Sequence, residues 1–121
     1  MNKSYIRKKI LYLRKKRFSK NLLINPNKFL KFLEKKNIKS KIIGGYYPFN
    51  YELDILNILE ILEKNSYVLS LPKIEKNNMM NFFQCSLKNP LKINKYGIPE
   101  TISEKKVIPK VLLIPLVAYD N

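Results

Sequence analysis

The chain has 121 residues and a net charge of +15, from 24 Lys+Arg against 9 Asp+Glu, and 45% of it is hydrophobic. That suffices for one domain with one core and marks a globular rather than a disordered composition. There is no histidine and a single cysteine, Cys85, which excludes His-based acid–base chemistry, catalytic triads, an internal disulfide and a Cys-rich zinc site.

Residues 3–18 are predicted as a basic amphipathic helix, because Ile6, Ile10 and Leu13 recur at the helical period. Asn25-Pro26-Asn27 reads as a helix start with proline in a permitted early position, opening a helix to Lys36 that buries Phe29, Leu30 and Leu33. A short strand follows over residues 41–47. Asp54 is the expected N-cap of a helix over 54–62, with Ile55, Ile58, Leu59 and Leu62 on its buried face. Residues 67–71 read as a second buried strand, stopped by Pro72. Lys76-Asn77-Asn78 is turn chemistry ahead of a strand over 79–84.

Residues 89–109, carrying Pro90, Gly97, Pro99 and Pro109, read as loop, and 111–114 as a third apolar strand ending at Pro115. No internal repeat is evident. This order predicts a single α/β domain over residues 1–121: a three-layer α/β/α arrangement with a mostly parallel, Rossmann-like sheet. It is incomplete at the C-terminus, since no helix follows to cover the last strand.

The excess of cations suits a polyanion. Yet lysine, asparagine and isoleucine rising together is what AT-rich coding DNA produces, so no nucleic-acid partner is expected. The apolar run 111–118 is broken by Pro115 and is too short to span a bilayer, so no membrane partner is expected either. The acid-free start has something of a transit peptide, against which its lysine richness counts. A lone cysteine fits the reducing cytoplasm.

Two features carry chemistry. The strand at 41–47 leaves the sheet at Pro48, passes Tyr46, Tyr47 and Tyr51, and presents Glu52 just before the next helix. Ligands of open α/β sheets sit at that carboxyl edge, although a solvated loop glutamate fits the position equally well. On the first helix Lys3, Arg7 and Arg14 fall within roughly 40° of one another, beside the apolar stripe, as a row suited to clamping phosphate. Lys8, Lys9, Lys15 and Lys16 lie mostly elsewhere, as solvated charges.

Five segments in order resemble the 5-formyltetrahydrofolate cyclo-ligase (methenyltetrahydrofolate synthetase) family. They are Lys3-Ser4-Tyr5-Ile6-Arg7 with its continuation to Arg14, Tyr46-Tyr47-Pro48 with Glu52, the strand ending Leu71-Pro72, Gly97-Ile98-Pro99-Glu100, and Leu112-Leu113-Ile114-Pro115 running on to Asp120. The resemblance covers the whole chain and roughly the first two-thirds of a typical member. The family's glycine-rich stretch is absent after Asp120, and Thr101 stands where a second proline is common.

The resemblance implies a monomeric, ATP- and Mg2+-dependent ligase of one-carbon metabolism that converts 5-formyltetrahydrofolate to 5,10-methenyltetrahydrofolate. In such enzymes the formyl oxygen attacks the γ-phosphate and N10 then closes the ring. By position, Lys3, Ser4, Tyr5, Ile6 and Arg7 are the implied ATP contacts, joined by Arg14. Tyr47 and Glu52 are the implied folate contacts, with Glu52 catalytic in accepting a hydrogen bond from the pterin or the reacting N10–H. Phe82 and Phe83 are candidates for the folate side, one of which strand alternation sends to the core. Without the glycine-rich stretch, half the nucleotide site and the metal ligand are missing, so the expected activity of this chain alone is low or nil. Competing expectations are a small basic nucleic-acid-binding protein and a fragment that needs a partner chain to complete its sheet.

Overall fold

A computed structural model describes residues 2–19 and 22–116. Three helices and seven strands follow in the order α1 (Lys3–Lys16), α2 (Pro26–Lys35), β1 (Ile42–Gly44), α3 (Leu56–Lys64), β2 (Val68–Ile74), β3 (Met80–Cys85), β4 (Leu91–Ile93), β5 (Pro99–Thr101), β6 (Lys106–Val107) and β7 (Val111–Leu112). No helix among the described residues is long and apolar enough to cross a membrane.

Local chemistry accounts for the helix ends. The Asn2 side chain accepts from the Ser4 and Tyr5 amides and opens α1. Asn25 accepts from the Lys28 amide and sets Pro26 at the first position of α2. Asp54 acts one step earlier than expected: its Oδ1 accepts from the Leu56 amide at 2.8 Å, an Asx turn, and α3 begins only at Leu56. At the other end of α3, Ser66 takes the left-handed conformation (φ 67), and the Ser66 and Tyr67 amides return to the Glu63 and Leu62 carbonyls.

The main sheet runs β6-β3-β2-β1-β7. β1 pairs parallel with β2 and β7, while β3 pairs antiparallel with β2 and β6, so the sheet is mixed rather than mostly parallel. Pro72 does not stop β2. Pairing with β1 ends at Gly44 opposite Ser70, and beyond it that flank of β2 has no partner that would need the missing amide. The strand therefore runs on to Ile74 and turns back through Asn77 and Asn78, both left-handed, into β3.

Residues 89–109 are not loop throughout. Asn94 organises a hairpin between β4 and β5, its Oδ1 accepting from the Tyr96 and Ile98 amides, with Gly97 at φ 78 closing the turn. The Asn94 to Gly97 spacing was a readable hairpin signal, masked by Pro90 and Pro99 on either side.

Ile43, Leu69, Cys85 and Val111 are cross-strand neighbours on one face of the sheet, and they meet Leu33 of α2 and Ile58, Leu59 and Leu62 of α3 in the core. Phe83 lies on this same face, 2% exposed. Phe82 points the other way, toward the side where Gly44 faces Leu112 and Pro109. Among the described residues α1 contributes nothing to the core, so the expected three layers reduce to a sheet with α2 and α3 on one face.

At the β2–β3 turn, Glu75 accepts from Asn81 Nδ2 and pairs with Lys106 at 3.2 Å, and these bonds hold its carboxyl below the ordinary 4.5. The folded carboxyl thus binds its proton less tightly than the unfolded one. Its support for the turn is complete above about pH 4.5 and is lost as pH falls through the lower folded value. Acid titration followed by NMR should show the Asn81 side-chain amide resonances moving below pH 4.5. Shifts unchanged down to pH 2 would contradict the pairing.

Candidate functional site

β1 ends against the core. A Cβ on Gly45 would stand 2.9 Å from Leu59 Cδ2, so a side chain here would force the Leu59 side chain to shift. Tyr46 follows, 9% exposed, and its hydroxyl donates to the Leu53 carbonyl at 2.7 Å. Burial pushes this phenol up to about 12, with the Glu52 and Asp54 charges adding and Arg14 opposing. It remains a neutral donor at any physiological pH.

From Phe49 to Glu52 the chain makes a tight turn. The Glu52 amide donates to the Phe49 carbonyl at 3.1 Å, and Asn50 and Tyr51 are both left-handed, at φ 51 and 60. That is type I′ geometry, for which asparagine is suited and tyrosine is not. Two contacts hold the strained pair. Glu52 Oε1 accepts from the Phe49 amide at 2.8 Å, and Arg14 Nη2 donates to the Asn50 carbonyl at 2.7 Å. Tyr51 also packs edge-on to Phe18 at 5.2 Å, under Lys15.

Arg14 therefore docks α1 onto the carboxyl edge of the sheet. Its Nη1 donates to the Leu116 carbonyl beyond β7 at 3.4 Å, and its Nε is buried without a hydrogen-bond partner. Arg14, Tyr46 and Glu52 line a cleft of about 670 Å³, together with Arg17, Asp54 and Pro115. A second cleft, of about 720 Å³, lies on the other side of Tyr46 between α3 and the segment after β3; Tyr47, Leu71 and Cys85 line it, with Glu60, Lys64 and Lys88 among its other lining residues.

The sequence-expected residues divide accordingly. Arg14 and Glu52 share one cleft, and Tyr47 lines its neighbour across Tyr46. Lys3, Ser4, Tyr5, Ile6 and Arg7 occupy the exposed first half of α1 and line neither cleft. At 1.5 Å per residue, Arg7 and Lys3 continue the Arg14 row about 10 and 16 Å further along the helix. Residues 117–121, with Asp120, lie outside the described residues. Of the two phenylalanines, Phe83 is the core residue and Phe82 is half-buried on the opposite face. Glu100 is buried at the hairpin, accepting from Asn94 Nδ2 at 2.9 Å. Thr101, in place of proline, is a β5 residue whose Oγ1 accepts from the Ser103 amide.

Tyr46, like Arg17 and Asp54, is a lining residue that sequence reasoning passed over. Its signal was its position directly after Gly44-Gly45, at the point where the strand leaves the sheet.

Burial also pushes the thiol of the half-buried Cys85 up to about 12, with Glu63 adding, so little of it is thiolate at neutral pH. Iodoacetamide at pH 8 should label it roughly 10³-fold more slowly than the unfolded chain, the effect of about three pKa units on the thiolate fraction. Labelling at the unfolded rate would contradict its burial.

No family model matches the chain, and no curated protein matches it. Among solved structures it is similar to the NMR structure of Aquifex aeolicus 5,10-methenyltetrahydrofolate synthetase, with a TM-score of 0.76 and 26% identity. The match covers 99% of this chain and 63% of that one, so the chain spans less than two-thirds of the solved protein's length. The ordered motifs and this shared backbone together support the resemblance to the 5-formyltetrahydrofolate cyclo-ligase, or methenyltetrahydrofolate synthetase, family.

Proposed function

We propose that the chain serves the conversion of 5-formyltetrahydrofolate to 5,10-methenyltetrahydrofolate, with the folate held at Glu52, Tyr47 standing in the neighbouring cleft across Tyr46, and ATP approached by the α1 cations. The carrying observation is that Arg14 and Glu52, from separate elements, open into one cleft at the carboxyl edge of β1 and β7. ATP when bound supplies the phosphoryl group that activates the formyl oxygen. Arg14, fixed by two backbone carbonyls, holds its positive charge in the wall of the cleft, where it favours an anion. Arg7 and Lys3 extend the positive row for the remaining phosphates. Glu52 keeps one oxygen on the Phe49 amide, which leaves the other to accept from a substrate N–H. Tyr46 excludes water from the wall between the two clefts. A reducing cytoplasm suits the unpaired Cys85.

The described residues do not fit a Mg2+ site. No group of three or more His, Cys, Asp or Glu side chains is arranged to hold a metal among them. The carboxylates of the cleft, Glu52 and Asp54, are each engaged by a backbone amide. No step is assigned through the metal.

Binding of 5-formyltetrahydrofolate, read by tyrosine fluorescence, tests the site, with methenyl absorbance in the presence of ATP and Mg2+ as the turnover readout. Glu52→Gln should weaken binding roughly 10- to 150-fold, the range for one charged hydrogen bond. Thermal stability should hardly change, because the glutamine carbonyl still accepts from Phe49. Equal affinity in the two proteins would remove Glu52 from the site.

A further inference from the structure

The solvent side of α1 has an order of its own. Tyr5, Lys8 and Lys9 recur seven residues later as Tyr12, Lys15 and Lys16, within Tyr5-Ile6-Arg7-Lys8-Lys9 and Tyr12-Leu13-Arg14-Lys15-Lys16. This is a short internal echo in a chain expected to have no repeat. On a helix, seven residues are nearly two turns, so each copy falls on the same side about 10 Å from the other.

At about 100° per residue the tyrosines lie at the centre of a stripe, with Lys8 and Lys15 along one border and Lys9 and Lys16 along the other. All six side chains are exposed, Tyr5 at 66% and Tyr12 at 63%. The opposite side of the helix, carrying Ile10, Leu11, Leu13 and Arg14, is the half-buried one.

Among the described residues no acid pairs with this charge. No acid lies between Lys3 and Arg17, and none of these lysines is in an ion pair among the described residues. Lys16 rests over the Tyr12 ring at 5.8 Å instead. A row of unpaired cations on a helix destabilises it through self-repulsion, which a polyanion would relieve.

The geometry points to the outer face of α1 as a binding surface for single-stranded nucleic acid, its lysines meeting phosphates and its tyrosines stacking on bases. Exposed rings between cations are the pattern by which single strands are held without sequence preference. An anionic lipid surface fits less well. A helix lying in a membrane interface buries a broad aliphatic face, and the aliphatic residues of α1 are turned toward the protein. None of these side chains lines either cleft, and only Tyr5 falls in the segment of expected ATP contacts, so the Tyr12 and lysine variants test this surface apart from the folate reading.

The test is fluorescence anisotropy of the full chain with a labelled single-stranded oligouridylate across a salt series, beside co-sedimentation with phosphatidylserine vesicles. Binding should weaken steeply with salt. Replacing Lys8, Lys9, Lys15 and Lys16 with glutamine, which preserves helix propensity, should reduce the log–log salt slope by about 3, at roughly 0.7 per phosphate contact. Tyr12→Leu should lose roughly fivefold to a hundredfold in affinity while Tyr12→Phe keeps it, as stacking requires. Circular dichroism of each variant confirms that α1 is retained. The proposal is overturned if the oligonucleotide does not bind, if Tyr12→Leu binds as tightly as Tyr12→Phe, or if vesicles bind and the oligonucleotide does not.

Discussion

Arg14→Ala should detach α1 from the body of the protein. The helix has no fully buried residue, and among the described residues its hydrogen bonds to the sheet edge come from the Arg14 guanidinium, to Asn50 and Leu116. A helix of this length is marginal in water by itself. Losing charge-assisted bonds of this kind costs about 1.5–3 kcal/mol, and the loss falls on one element rather than on the core. Amide exchange should accelerate across residues 6–17, and resonances of Asn50 and Tyr51 should shift as the left-handed turn is released. Arg14→Lys should rescue only part of this, because a point charge cannot reach two carbonyls in different directions. If protection of α1 and the turn resonances both survive in the alanine variant, Arg14 is not the clamp.

A second large effect is expected in the sheet. Phe83 is 2% exposed and opposite Leu71, and the buried ammonium of Lys73 sits 4.1 Å from its ring centroid while donating to the Ser103 carbonyl. Phe83→Ala should cost about 3–5 kcal/mol in cavity and lost transfer energy. Small domains have only about 5–15 kcal/mol in total, so the variant should be partly unfolded or nearly so at 37 °C. Phe83→Leu keeps most of the volume but removes the ring beneath Lys73, and should fall between the two. Urea midpoints of the three proteins give the order. A midpoint for the alanine variant close to that of the parent would show that Phe83 does not hold the β2–β3 face in place.

Both effects come from contacts between segments far apart in the chain, and that separates what was legible from what was not. Helix existence and the buried positions of α3 could be read directly, because Ile58, Leu59 and Leu62, like Ile6, Ile10 and Leu13 of α1, repeat with the helical period, and Asn25 marks the start of α2. Strand existence was legible for β1, β2, β3 and β7 because short apolar runs are bounded by glycine, proline or asparagine. Direction and extent were not. Whether β3 ran parallel or antiparallel, and whether Pro72 ended β2, depended on which flank of each strand found a neighbour.

At the site, sequence alone determined the parts: a proline-broken strand end carrying Glu52, and a cationic row on the first helix. Periodicity records which side a residue faces within its own element, and so it placed Arg14 correctly beside the apolar stripe. Only the tertiary structure decided that Arg14 would reach two backbone carbonyls and meet Glu52, while Lys3 and Arg7 stayed out along the exposed helix. The physical reason is that α1 is held at one end. A rigid rod fixed by its last turn carries its first turn some 16 Å away, at the helical rise of 1.5 Å per residue, whatever face those side chains share.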